Sequence, residues 1–89
     1  MPRVPSAAAA FVGERIRTAR LRSSMTHDKL GGLTGIDSAN IRAYETGRAM
    51  PSIHTIVRIA DALRVKPGYF LDGLTADLFE DAVASRRAG

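Results

Sequence analysis

Helix start and stop signals alternate at close intervals between residues 26 and 47. Thr26 has the side chain of a helix N-cap and Gly35 the freedom of a left-handed stop; Asp37 is again a cap and Gly47 again a stop. The first of these helices, running to about Thr34, has Leu30 and Leu33 as its apolar positions. It also holds Gly31 and Gly32, each costing about 1 kcal/mol relative to Ala. So short and glycine-weakened a segment does not hold a helix alone, so packing must supply what propensity lacks. The second helix is expected from Ser38 to Thr46, with Ile41 and Tyr44 on one face.

The remaining chain continues the helical pattern, with no period-two alternation and no hairpin dipeptide. Ser6 caps a first helix whose apolar face is Val12, Ile16 and Ala19, with Ala7–Ala10 supplying propensity. Ser52 caps a fourth, with Ile53, Ile56, Ile59, Ala60 and Leu63 as its stripe, and Pro67 opens a short fifth carrying Phe70 and Leu71. A sixth helix is expected from Thr75, acidic early (Asp77, Glu80, Asp81) and basic late (Arg86, Arg87), as the macrodipole favours. The expected organisation is an arm or helix start over 1–10, a domain over 11–73, and an amphipathic helix and tail over 74–89.

The chain of 89 residues has room for one small core. It lacks cysteine, so neither a disulfide framework nor a thiolate metal site can form, which fits a reducing cytoplasm. No apolar run approaches a membrane span, and no secretory signal is evident. His27 and His54 have no carboxylate or thiol at ligand spacing, no Ser pairs with a His and an Asp, and no glycine-rich phosphate loop occurs. No enzyme, metal or cofactor is therefore expected. The net charge of +4 is carried entirely by residues 1–48, with 8 basic against 4 acidic side chains, while residues 49–89 hold 5 of each. Eleven of the 13 basic residues are arginine, whose planar fork suits phosphate and guanine edges. A polyanion is the partner this balance suggests.

Two short helices joined by a tight glycine-containing turn make a helix-turn-helix, whose second helix enters the major groove. Its outward residues here are Ser38, Ala39, Asn40, Arg42 and Ala43. Asn and Arg can pair with adenine and guanine edges, and Ala can touch a thymine methyl. Asn40 could equally bond local backbone, as Asn near a helix start often does. Asp37 is read as a cap only, Tyr44 as core and Arg58 as exposed; Arg15, Arg17 and Arg22 are read as solvated, with a grazing phosphate contact open to any of them.

The ordered pieces G-E-R-I-R at 13–17, Arg20, M-T-H-D-K-L at 25–30, L-T-G-I at 33–36, I-R-A-Y-E-T-G-R at 41–48 and P-S-I-H-T-I-V-R-I-A-D-A-L at 51–63 carry a resemblance. From Val12 to Leu71 the chain resembles the lambda-repressor/Cro-like, or xenobiotic-response-element, family of transcriptional regulators. The resemblance implies an all-α, five-helix DNA-binding domain, here with an extra C-terminal helix, and double-stranded DNA as partner. It assigns Ser38, Ala39, Asn40, Arg42 and Ala43 to base contacts and Thr26, His27 and Arg48 to phosphate. It makes Arg20 and Glu45 an ion pair between the first and third helices. Three positions depart from the family pattern: Gly31 where Ala is usual, His27 where Gln is common, and Arg64 where Gly is expected after the fourth helix.

The resulting expectation is a cytoplasmic repressor that binds a palindromic operator as a homodimer. About 16 residues follow Gly73, too few for a ligand-sensing domain, so control is expected from a partner, dimerisation or protein level. The stripe Leu74, Leu78, Phe79, Ala82 and Val83 is the candidate dimer contact, with folding back onto its own domain equally open. Two other readings stay open: an antitoxin that also holds a toxin, and an interaction module that keeps the fold without reading DNA.

Overall fold

The computed structural model describes residues 6–79. They form α1 (Ala7–Arg22), α2 (His27–Thr34), α3 (Ser38–Glu45), α4 (Ile53–Leu63), α5 (Gly68–Leu71) and a 3-10 turn (Ala76–Phe79). No strand occurs among the described residues. Each of the first four helices starts where a short polar side chain takes up an orphan amide. Ser6 Oγ accepts from the Ala9 amide at 3.1 Å and Thr26 Oγ1 from Lys29 at 3.0 Å. Asp37 Oδ1 accepts from Ala39 at 2.8 Å and Ser52 Oγ from Thr55 at 3.1 Å.

Val12, Ile16 and Ala19 of α1, Leu30 of α2, Ile41 of α3, the α4 residues Ile56, Ile59, Ala60 and Leu63, and Phe70 of α5 form one buried cluster. Helix α1 is its spine, packing on α3, α4, α5 and the 3-10 turn. Ala8 and Ala9 are wholly buried, so the alanine run packs as well as supplying propensity. Two residues expected inside lie outside. Leu33, although only three residues from the buried Leu30, is 53% exposed and lines an open cleft with Met25, Lys29 and Arg58. Ile53, at the first position of α4, is 67% exposed, and the buried stripe of that helix begins at Ile56.

Two arginines, one read as solvated and one as exposed, are structural. Arg15 donates from Nη1 to the Tyr69 carbonyl at 2.6 Å, and its guanidinium lies 4.7 Å and 5.3 Å from the ring centroids of Phe11 and Tyr69. It clamps α1 to α5. Arg58 reaches from α4 to donate to the Thr34 carbonyl, placing a cation at the C-terminal end of α2, where unpaired carbonyls attract one. The glycine-weakened helix is held by its neighbours, as its propensity demands. Gly31 also has a use that its helix propensity hides: a Cβ there would sit 2.7 Å from the Ile36 carbonyl oxygen, so the missing side chain lets the turn close.

The helix expected from Thr75 is a 3-10 turn over Ala76–Phe79 packed on α1, and Leu74 packs against the core. The remainder of that helix, with Ala82 and Val83, and the start of the arm lie outside the described residues. Arg64, where a glycine was expected, ends α4 in the left-handed region at φ 59°, ψ 40°. That conformation costs a non-glycine residue about 1–2 kcal/mol, partly offset in a comparison with glycine by the latter's greater chain entropy. Arg64→Gly should therefore stabilise the protein by up to about 1 kcal/mol, read from the midpoint of urea unfolding at unchanged slope. A loss of stability would show that the Arg64 side chain contributes more than its backbone costs.

Candidate nucleic-acid interface

The turn between α2 and α3 consists of Gly35, Ile36 and Asp37. Gly35 takes φ 75° and donates its amide to the Gly31 carbonyl at 2.8 Å, stopping α2. The buried Thr34 hydroxyl donates to the Leu30 carbonyl at 2.8 Å and accepts from the Ile36 amide at 3.2 Å, steering the chain into the cap at Asp37. Every bend in this turn has a hydrogen bond behind it.

Helix α3 places its residues at about 100° intervals, so its faces follow from position alone. Ile41 is buried in the core and Tyr44 is half-buried against it. On the opposite side Ala39 and Ala43 occupy the middle of the outward face, flanked by Asn40 and Arg42. Ala39, Asn40 and Arg42 are exposed, while Ser38 and Ala43 are half-buried. Among the described residues no side-chain hydrogen bond engages Ser38, Asn40 or Arg42, so their polar atoms face solvent.

Behind this face lies a buried ion pair. Arg20 Nε donates to Glu45 Oε2 at 2.6 Å and Arg20 Nη2 to Glu45 Oε1 at 3.0 Å, a two-pronged ion pair joining α1 to α3. The third nitrogen, Nη1, donates to the Met25 carbonyl at 2.7 Å. The two side chains are only 8% and 4% exposed. His27 completes the group, its Nε2 standing 3.1 Å from Glu45 Oε1. Three helices thus meet on one carboxylate, and among the described residues no buried side-chain nitrogen or oxygen lacks a partner.

Of the side chains assigned to phosphate, Thr26 is exposed and spends its hydroxyl on the α2 cap. The His27 side chain is 27% exposed and faces Glu45. Arg48 is exposed just past α3, with Nε donating to Thr46 Oγ1 at 3.2 Å. Arg17, read as solvated with a phosphate contact open to it, is exposed beside this group. Arg17 of α1 lines a cleft of about 220 Å³ together with His27, Arg42, Glu45 and Thr46. Its position one helical turn before Arg20 is the signal that could have placed it there. Of the apolar stripe offered as a dimer contact, Leu74 and Leu78 are half-buried and Phe79 is 53% exposed. Among the described residues no cluster of three potential metal ligands occurs, and no helix is long and apolar enough to cross a membrane.

This arrangement, a capped exposed helix set by a tight turn against a short partner helix, defines a helix-turn-helix protein. The helix-turn-helix domain family model matches residues 12–68, and the chain belongs to that family of DNA-binding proteins. Among curated relatives, it is 34% identical over 70 residues to the uncharacterized HTH-type transcriptional regulator y4wC of Sinorhizobium fredii, covering 79% of this chain and 49% of that protein. It is 33% identical over 67 residues to y4aM of the same organism, also an uncharacterized HTH-type transcriptional regulator, covering 75% of this chain and 47% of that one. The chain thus spans about half the length of the curated relatives it matches. Among solved structures it is similar to the restriction-modification controller protein C.AhdI of Aeromonas hydrophila, with TM-score 0.68 and 26% identity, covering 70% of this chain and 94% of that one. An HTH_3 family transcriptional regulator from Vibrio cholerae has the same fold, with TM-score 0.67 at 24% identity over 71% of this chain and 35% of its own.

Proposed function

We propose that this protein is a sequence-specific regulator of transcription that binds double-stranded DNA, acting as a repressor by occupying a palindromic operator as a homodimer. The observation that carries the reading is the contrast between the two sides of α3. Its rear is fixed by a buried ion pair and by Ile41, while Ala39, Asn40 and Arg42 stand free on its front. A helix braced this way keeps its outward side chains in a fixed register, as reading base edges requires. The likeness to a controller protein and to two HTH-type regulators supports the same reading.

In this reading Ser38, Ala39, Asn40, Arg42 and Ala43 meet the bases, with the two alanines against thymine methyls, and Thr26, His27 and Arg48 hold the backbone. Leu74, Leu78, Phe79, Ala82 and Val83 supply the contact between copies, Phe79 being the one that the described fold leaves most exposed. One recognition helix touches only a few base pairs, which is too little to outcompete non-specific sites, and pairing doubles it.

Selection of bound duplexes from a random pool tests the proposal. It should return a site with two-fold symmetry whose halves lie about one helical turn, ~34 Å, apart. Arg42→Ala should then relax preference at one position of each half-site, at a cost of about 1–3 kcal/mol. Arg48→Ala should weaken all sequences alike and lower the salt slope by about one. No enrichment over the starting pool would defeat the reading. Equal selectivity profiles for the two variants would defeat the division of roles.

A further inference from the structure

Between α2 and the C-terminal end of α4 runs an open cleft of about 610 Å³, apart from the residues assigned to DNA. Met25, Leu33 and Ala62 give it an apolar lining, and Leu33 is 53% exposed there. Lys29, Arg58 and Arg64 stand around that lining, against a single acid, Asp61. Arg58 spends one nitrogen on the Thr34 carbonyl and keeps other donors. Neither Lys29 nor Arg64 has a carboxylate partner among the described residues. An apolar strip bordered by excess positive charge suits a polypeptide segment that is apolar and acidic at once. A nucleic-acid backbone would match the cations but not the strip.

The chain itself carries such a segment. Residues 75–83 read T-A-D-L-F-E-D-A-V, with three acids, no basic residue and an aromatic ring among the apolar positions. Over Ala76–Phe79 this segment rests on α1, with Asp77 exposed and Phe79 53% exposed. None of its described residues lines the cleft of its own domain. The ring is thus left in water beside acidic neighbours, while the cleft has apolar surface and cations to spare.

We propose that residues 77–83 of one copy dock in the cleft between α2 and α4 of a second copy. Phe79 then covers Met25, Leu33 and Ala62, and Asp77, Glu80 and Asp81 supply the carboxylates that Lys29, Arg58 and Arg64 lack. The exchange is mutual: each copy gives a segment and receives one, so the assembly closes at two. The inference rests on the homodimer reading above and specifies what the apolar stripe meets, a cleft on the other copy rather than its own counterpart. Added salt should loosen the pair, because it screens the exposed charges at the rim.

Charge exchange in the full chain tests this, with mass followed by sedimentation equilibrium at low salt. Lys29→Glu with Arg64→Glu reverses the cleft; Glu80→Lys with Asp81→Lys reverses the segment. Each double variant alone should have a dimer dissociation constant about tenfold or more above wild type, since like charges then meet at both seats. Mixed in equal amounts, the two should pair again. An acidic segment then meets a basic cleft at one seat, and a basic segment meets an acidic cleft at the other. Phe79→Ala, at a position outside the buried cluster, should weaken pairing while leaving the unfolding midpoint of the monomer unchanged. A cleft variant as dimeric as wild type overturns the inference and leaves the homodimer standing; loss of affinity for a mixed-sequence duplex in that dimeric variant would give its cations to DNA instead. A mixture that fails to pair, from variants with wild-type helical circular dichroism, overturns it equally. Wild-type protein that is monomeric at every concentration overturns the homodimer reading together with it.

Discussion

Gly13→Ala should cost about 3 kcal/mol or more, an unusually large effect for a single methyl group on a helix. Helix α1 crosses α3 so closely that a Cβ at position 13 would lie 2.1 Å from the Tyr44 carbonyl oxygen and 2.9 Å from that of Glu45. Both obstacles are backbone, so no side chain can swing aside; the helices must separate by about an ångström. That separation strains the core shared by Val12, Ile16 and Ile41 and lengthens the bonds between Arg20 and Glu45. Alanine's better helix propensity returns only about 1 kcal/mol. With total stability of about 5–10 kcal/mol for a domain this size, the melting temperature should drop by more than about 10 °C. Thermal unfolding followed by circular dichroism checks this. A shift of less than about 2 °C would mean that the two helices do not approach as described.

Glu45→Ala should be nearly as severe, about 3–4 kcal/mol, because it strands a covered guanidinium rather than removing a surface charge. Arg20 would keep its bond to the Met25 carbonyl and lose two others, and the His27 imidazole would lose its partner. Glu45→Gln, which keeps the shape and one acceptor oxygen, should cost appreciably less. Replacing Arg20 by Met and Glu45 by Leu together should recover part of the loss, since no charge is then buried alone. Urea unfolding of the four proteins separates these cases. A loss below about half a kcal/mol for Glu45→Ala would rank this pair with exposed ion pairs.

What was legible in the sequence was local. Ser6, Thr26, Asp37 and Ser52 were recognisable as caps because a cap and its amide lie two or three residues apart, and Gly35 because one residue suffices to stop a helix. The groups misread were joined across long stretches of chain. Arg15 meets the Tyr69 carbonyl 54 residues away and Arg58 the Thr34 carbonyl 24 away. In a sequence both look like any solvated arginine. His27 came out as a phosphate contact from its place in the family pattern, but its bond to Glu45 depends on how α2 leans on α3. The position of Leu33 was hidden for a related reason: eight helical residues are too few for periodicity to say which leucine points inward. Arg20 and Glu45 were paired through the family resemblance, since nothing in their spacing alone brings them together.

The outward face of α3 has a further consequence, for how such a protein can diverge. Ala39, Asn40 and Arg42 belong to no buried cluster and hold no part of the fold by a side-chain hydrogen bond among the described residues. The geometry that aims them is supplied from elsewhere, by Arg20, Glu45, Ile41 and the turn at Gly35. Substitutions at the three positions therefore meet almost no stability threshold, and a duplicated copy could wander through many of them while still folding. On the proposed reading of bases by these residues, its target would change in single steps, each copy ceasing to compete with its parent for the same stretch of DNA.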